Sequence, residues 1–225
     1  MNEFIKENKW FLAISLTFIL IVFLESLLMP YGNEICSLNQ ARFEPLNTLF
    51  IFWTKLGEEK IWLLAIALLA LFKNYRASLI MLFIGGLVIL SAFYSKTILQ
   101  TSRPAKFFKE QKRLQEVVFV PNVEIYQGNT SFPSGHTMSA FAFWGIVAFI
   151  SRRRVWVDVL CAFMACGVGF SRIFLCQHFL VDVGAGASLG LLIFLICWQI
   201  SRNTNLFTAP YLFKSLLGDY IRFPQ

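Results

Sequence analysis

The sequence predicts an all-α, polytopic membrane protein of six transmembrane helices, with extra interfacial helices in its long loops. Of 225 residues, 57% are hydrophobic and only 15% charged, far from the balance of a soluble domain. The apolar residues fall in runs bounded by charges, as in helices that satisfy their own backbone groups while facing hydrocarbon. No repeat, low-complexity tract or second domain interrupts that pattern, so residues 1–225 read as a single membrane-embedded domain.

The first run, residues 10–29, is close to the roughly 20 residues that cross a bilayer core. Lys6 and Lys9 precede it as they would a secretory leader, but Leu27, Leu28, Met29 and Pro30 offer no small-x-small cleavage pattern. An uncleaved anchor is therefore expected. Residues 30–60 form a connection in which Leu46, Leu49, Phe50 and Trp53 recur at helical spacing, the pattern of an interfacial helix that covers without doing chemistry. The second span, 57–73, has a short apolar run between Lys60 and Lys73. It reaches full length only by extending back through Gly57 or by letting lysines reach outward.

The third span covers 77–95. A second long connection, 104–133, starts polar and basic and then turns apolar at 117–120; loops of this length often serve as lids or binding loops. Spans four and five, 136–150 and 155–172, are separated by the basic turn Ser151, Arg152, Arg153 and Arg154. On the sixth, 182–200, Gly184, Gly186, Ser188 and Gly190 let helices pack closely. Beyond it, Leu206, Phe207, Tyr211, Leu212 and Phe213 alternate with Lys214 and Arg222, as in a segment resting on an anionic membrane surface.

Six spans put both termini on one side. Lysine and arginine divide evenly between the two sides, but short loops weigh most in the positive-inside rule, and the short basic ones are 73–76 and 152–154. Both termini are accordingly expected in the cytoplasm. Cys36, Cys161, Cys166, Cys176 and Cys197 form no metal-spaced pair and read as small buried hydrophobes. Asn129, Thr130 and Ser131 match a glycosylation acceptor, a pattern too short to carry weight.

Three clusters of polar residues stand at the ends of apolar runs, where ionisable groups are costly and usually functional. In the first, His178 and Asp182 are four apart and share a helical face. A carboxylate there accepts the imidazole N–H and leaves the other nitrogen ready to attack. Taken alone, the pair fits a satisfied structural histidine better. In the second, Ser134 is a natural N-cap beside Gly135 and His136, so the first-turn amides offer an anion site; the same residues also start ordinary helices. In the third, Lys96 and Arg103 are two turns apart before Pro104, a spacing that interfacial cations share. Together with Arg172 the clusters supply three cations, a helix N-terminus, two histidines and a carboxylate, and all of them fall on one membrane side of the six-span arrangement. That collection fits a phosphoryl group, whose oxygens guanidinium groups grip bidentately and whose transition-state charge fixed donors stabilise.

These residues resemble the three-part signature of the type 2 phosphatidic acid phosphatase superfamily: Lys-x6-Arg-Pro from Lys96 to Pro104, Pro-Ser-Gly-His from Pro133 to His136, and Ser-Arg-x5-His-x3-Asp from Ser171 to Asp182. Every signature position is matched. The resemblance implies that His178 attacks phosphorus to form a phosphohistidine, that Asp182 orients it, and that His136, initially protonated, protonates the leaving oxygen and later activates water. Lys96, Arg103, Ser134, Gly135 and Arg172 would hold the phosphate. It implies no metal and no cofactor.

The expected substrate is a phospholipid or a polyprenyl or lipid A phosphate: undecaprenyl diphosphate, phosphatidylglycerol phosphate, phosphatidic acid or the 1-phosphate of lipid A. A site at the outer face, in a bacterial inner membrane enzyme open to the periplasm, favours the first and last. The bilayer is the other partner; nucleic acid is not expected, and the oligomeric state stays open. Two rivals exist. His136, His178 and Asp182 are a possible zinc set, against which three crowding cations argue, and the basic cluster alone suits a transporter or idle scaffold for anionic lipid. The soluble, vanadate-binding haloperoxidases of the same superfamily lack such apolar runs.

Overall fold

The computed structural model describes residues 8–40, 42–151, 154–203 and 209–217, which are mostly helical, with no strand among them. The first helix, α1 (Lys9–Leu28), follows the first apolar run and stops at Met29 and Pro30. Two shorter helices, α2 (Asn33–Gln40) and α3 (Glu44–Thr54), occupy the first long connection, and a 3-10 turn at Lys55–Gly57 leads into α4 (Glu59–Phe72). Asn74 caps α5 (Tyr75–Leu99) by accepting the Ala77 N–H at 2.8 Å. The second long connection holds α6 (Pro104–Glu110) and a 3-10 turn at Leu114–Glu116. Three apolar helices follow: α7 (Gly135–Ile150), α8 (Val155–Phe174) and α9 (Leu180–Asn203).

Four of these helices, α1, α5, α8 and α9, are long and apolar enough to cross a membrane. The six-span expectation is thus met in part. With 14 and 16 residues, α4 and α7 rise only about 21 and 24 Å, short of a hydrocarbon core of about 30 Å. Apolar side chains point outward along the bundle, among them Leu16, Leu20, Leu24 and Leu27 of α1, Ile89 and Phe93 of α5, and Trp156 and Phe163 of α8. Such a belt is stable facing hydrocarbon and costly facing water.

At the centre lies α7, which buries Met138, Ala140, Phe141, Phe143, Ile146 and Phe149. Its backbone nearly touches α9. A Cβ on Gly190 would stand 2.2 Å from the Met138 carbonyl oxygen, and one on Gly186 2.5 Å from that of Ser134, so only glycine permits this spacing. The small residues of the last helix therefore set the depth at which α7 seats, while Gly184 faces Val22 and Phe23 of α1. On the other flank Trp53 of α3 donates its indole N–H to the Met164 carbonyl of α8 at 3.3 Å and fills the space over Gly167.

At one end of the bundle the Asp158 carboxylate faces the Trp10 and Phe11 amides that open α1. The described part of the tail packs there too, with the Leu216 N–H on the Ala70 carbonyl and Tyr75 N–H on Lys214. The end of α5, the starts of α7 and α9 and the end of α8 meet at the opposite end. Lys6, Arg152, Arg153, Leu206, Phe207 and Arg222 lie outside the described residues. All five cysteines are free thiols, with Cys161, Cys176 and Cys197 buried and Cys36 and Cys166 half-buried.

Candidate active site

The site begins where α8 ends. After Phe174 the chain reverses so tightly that the Gln177 and His178 amides both donate to the Arg172 carbonyl, at 2.9 and 3.2 Å. Arg42 pins the reversal from outside, bonding the Phe174 carbonyl and lying 3.1 Å from the Cys176 sulfur. This turn delivers His178 to the start of α9, whose first turn carries Asp182.

Both nitrogens of the His178 ring are engaged, and the ring is 1% exposed. Arg103 Nη1 stands 3.2 Å from Nε2. A guanidinium only donates, so Nε2 is the acceptor and the ring proton resides on Nδ1. That nitrogen faces Asp182 Oδ2 at 3.4 Å. Burial, and then the charges of Arg103, Arg172 and Lys96, hold this imidazole well below its usual titration range, keeping it neutral with the Nε2 lone pair available.

Asp182 is itself held. Its Oδ2 accepts the Ser131 hydroxyl at 2.5 Å and the Phe179 amide at 3.0 Å. Its carbonyl accepts the Ser134 N–H at 3.0 Å, stapling the start of α7 to the first turn of α9. Ser134 caps α7, its Oγ accepting the Thr137 amide at 3.4 Å and lying 2.8 Å from the Thr137 hydroxyl. His136, half-buried, occupies the second position of that helix, and its carbonyl lies against the 3-10 turn, where a Cβ on Gly57 would meet it at 2.8 Å. Lys96 comes down from α5 so that its Nζ would be 3.5 Å from a Cβ on Gly135. A lysine at a helix N-terminus sets like charge against like, an arrangement that a bound anion relieves.

The two guanidinium groups are nearly enclosed, Arg103 at 7% and Arg172 at 6% exposed. Arg103 also donates to the Gln177 carbonyl at 3.0 Å and lies 5.1 Å from the centre of the Tyr126 ring. Arg172 Nη1 donates to the Thr54 hydroxyl at 2.7 Å. The structure thus joins Arg103, His178 and Asp182 through direct contacts, sets Lys96 beside Gly135, and ties Ser134 to Asp182. Among the described residues no three His, Cys, Asp or Glu side chains group as a metal site; Asp182 Oδ2 is spent on Ser131 and Phe179, and Arg103 faces the nitrogen a metal would need.

Sequence reasoning missed Ser131, Thr54 and Tyr126. Ser131 sits inside the Asn-x-Ser pattern set aside above. Its signal was proximity to Ser134, in a strap where the Ser131 amide donates to the Thr101 carbonyl at 3.1 Å and the Phe132 amide to the Thr101 hydroxyl at 2.8 Å. Thr54 lies in the connection expected to do no chemistry.

Comparison with known proteins adds a second line of observation. Residues 74–206 match the model of the PAP2 superfamily. The chain is 30% identical over 167 residues to the undecaprenyl-diphosphatase of Sulfolobus acidocaldarius, spanning 74% of this chain and 76% of the relative. It is 34% identical over 119 residues to the phosphatidylglycerophosphatase B of Bacillus subtilis, a match that spans 49% of this chain and only 55% of that protein. Two crystal structures share the fold at a TM-score of 0.63: Aquifex aeolicus LpxE, at 22% identity over 73% of this chain and 92% of its own, and a transmembrane PAP2 type phosphatidylglycerolphosphate phosphatase of Bacillus subtilis, at 23% identity over 88% and 98%.

Proposed function

Because the chain belongs to the PAP2 superfamily, we propose that it is an integral membrane phosphatase that removes phosphate from a lipid through a phosphohistidine on His178, without a metal ion. One observation carries this reading: a buried, neutral imidazole gripped through Nδ1 by Asp182 and faced at Nε2 by Arg103. That is a nucleophile with its electrophile's counter-ions already gathered.

In the first step the phosphoryl oxygens take over the donors of Arg103, Arg172, Lys96 and the first-turn amides of α7. Release of Arg103 from Nε2 frees the lone pair, which attacks phosphorus in line with the lipid oxygen. The P–N bond forms, the P–O bond to the lipid breaks, and His136 gives its proton to the departing oxygen. The anion offsets the cations around His136, so the imidazole carries that proton when it is needed. Asp182 stabilises the positive charge that His178 acquires. In the second step neutral His136 takes a proton from water, the water oxygen attacks phosphorus, and the P–N bond breaks to return His178 and inorganic phosphate.

The substrate is a lipid phosphate met at headgroup depth. We read α4 and α7 as two further, short spans: α7 starts at the recessed site and α4 at the 3-10 turn beside it, while the connections holding α2, α3 and α6 fill the remaining depth. The domain then has six spans within 1–225. The chain-terminal end and the basic residues 73–76 lie opposite the site, which favours cytoplasmic termini and a site open to the periplasm of a bacterial inner membrane. Undecaprenyl diphosphate and the 1-phosphate of lipid A head the list for that side, ahead of phosphatidylglycerol phosphate and phosphatidic acid; the named activity of the Sulfolobus relative supports the first.

The test is phosphate release by the purified full chain from these four lipids, with labelled phosphate trapped on the protein. His178→Ala is expected to lose both turnover and label, while His136→Ala retains an acid-labile, base-stable label when the leaving group is a good one. Turnover by His178→Ala sinks the nucleophile. Loss of activity to a chelator, restored by zinc, overturns the metal-free reading, and equal rates on all four lipids remove the substrate ranking.

A further inference from the structure

The corner between α3 and α4 reaches the site although it lies outside the residues matched to the family, 74–206. It is a rigid corner. Phe50 packs on Phe174 with ring centres 4.5 Å apart, Trp53 on Phe163 at 4.9 Å, and the Trp53 indole seats over Gly167. On the other side Gly57 abuts the His136 carbonyl and Val168. Held between α7 and α8 in this way, the last residue of α3, Thr54, presents its hydroxyl to Arg172 at 2.7 Å, and that hydroxyl is buried.

A guanidinium has two edges able to grip two oxygens at once: the end-on pair Nη1 and Nη2, and the side-on pair Nε and Nη2. Thr54 occupies Nη1. Nε is fully buried and, among the described residues, has no partner. Leaving such a donor unmet is costly, so a site built this way is completed by an acceptor on that edge.

We propose that Thr54 is a positioning residue for phosphate recognition: by holding Nη1 it leaves the Nε–Nη2 edge of Arg172 for a ligand, and Arg172 grips the phosphoryl group side-on. This rests on the phosphatase reading above. The acceptor is a tetrahedral oxyanion, either the phosphoryl group of the substrate or free phosphate released from it, and its trigonal-bipyramidal mimic vanadate reports the same edge. The hydroxyl has no part in proton transfer. Its loss therefore weakens oxyanion binding without displacing the pH optimum.

The experiment measures kcat, KM, the pH profile and inhibition by vanadate and by inorganic phosphate for the purified full chain and for Thr54→Val, Thr54→Ser and Thr54→Ala. Valine keeps the shape and removes the acceptor; alanine gives the same reading if valine disturbs packing. Both are expected to weaken vanadate inhibition and raise KM about tenfold, with an unmoved pH optimum, and serine to restore both. In an Arg172→Ala background, Thr54→Val is expected to have no further effect. Wild-type vanadate inhibition in both Thr54→Val and Thr54→Ala overturns the proposal, as does an undiminished penalty in the Arg172→Ala background. Failure of the wild-type chain to release phosphate from any of the four lipids would instead remove the phosphatase reading itself, and the two failures are told apart by that control.

Discussion

The two ends of the helix bundle use basic residues in opposite ways. At the end away from the site, Lys73 Nζ donates to the Ile150 carbonyl that closes α7 at 3.3 Å, and Arg76 to the Ser201 carbonyl near the end of α9 at 3.0 Å. Cations there meet the negative ends of helices, and the carboxylate of Asp158 meets the positive start of α1. These three charges are matched to backbone dipoles. At the site end Lys96 and Arg103 are drawn up to the starts of α7 and α9, positive against positive, with Arg172 buried beside them. Asp182 opposes them but is committed to His178, Ser131 and Phe179, and Glu34 is taken up by the Leu180 amide at the start of α9. One end is neutralised within the protein. The other keeps an excess of cations, which the phosphate proposed above would complete.

If the contrast holds, substitutions at the two ends separate into losses of rate and losses of stability. The largest expected effect within the charged end, short of removing the nucleophile, belongs to Asp182→Asn: kcat should fall on the order of a thousandfold, because an amide can turn its N–H toward Nδ1 and reverse the ring tautomer. Steady-state rates that match the wild type would show that the pair only packs. Ser131→Ala removes one donor from the same carboxylate and should cost about tenfold in kcat, checked in the same assay with KM as the internal control.

The pH dependence sharpens the comparison further. Because burial and three cations depress the His178 pKa, the proposed nucleophile should stay neutral well below pH 6.5, and kcat/KM should not fall on the acid side until that lower value is reached. Stability follows by linkage. The unfolded chain takes up a proton on this histidine near pH 6.5 whereas the folded chain does not, so the folded state loses stability progressively as pH falls from about 6.5 toward the depressed value. His178→Gln should flatten that acid slope in a melting series; an unchanged slope would mean that other groups produce it.

At the neutralised end, Asp158→Ala should leave kcat/KM unaltered and cost about 1 kcal/mol through loss of the carboxylate facing the positive start of α1, measured as a lower melting temperature in detergent. A change in rate without a change in stability would dissolve the distinction between the ends.

The residues legible in the sequence share one property: they are ionisable groups at the margins of apolar runs, or neighbours within a few positions whose spacing has a helical reading. Ser134 caps the run that it precedes; His178 and Asp182, four apart, do meet, although His178 stands just before α9 and not on it; Lys96 and Arg103 share no helix as their spacing predicts, because α5 ends at Leu99 and Arg103 is extended where Pro104 opens α6. Helical runs were legible for the same reason, since hydrocarbon demands internally satisfied backbone over a fixed length. The short helices α4 and α7 were less so, because a helix that ends at a buried polar site need not follow the bilayer rule that length and composition encode.

What composition and local spacing determined by themselves is therefore the solvent of the protein, the run of its helices and the identity of its charged cluster. The tertiary structure alone decided which edge of Arg172 is free, which nitrogen of His178 carries the proton, and which neutral hydroxyls do the holding. Ser131 reaches Asp182 across 51 positions and Thr54 reaches Arg172 across 118. A hydroxyl carries no charge and costs little to place in a helix or loop, so nothing in its local surroundings marks it; its role is created only when packing, through Trp53 over Gly167 and Gly57 on α7, brings it within hydrogen-bonding distance of a buried cation.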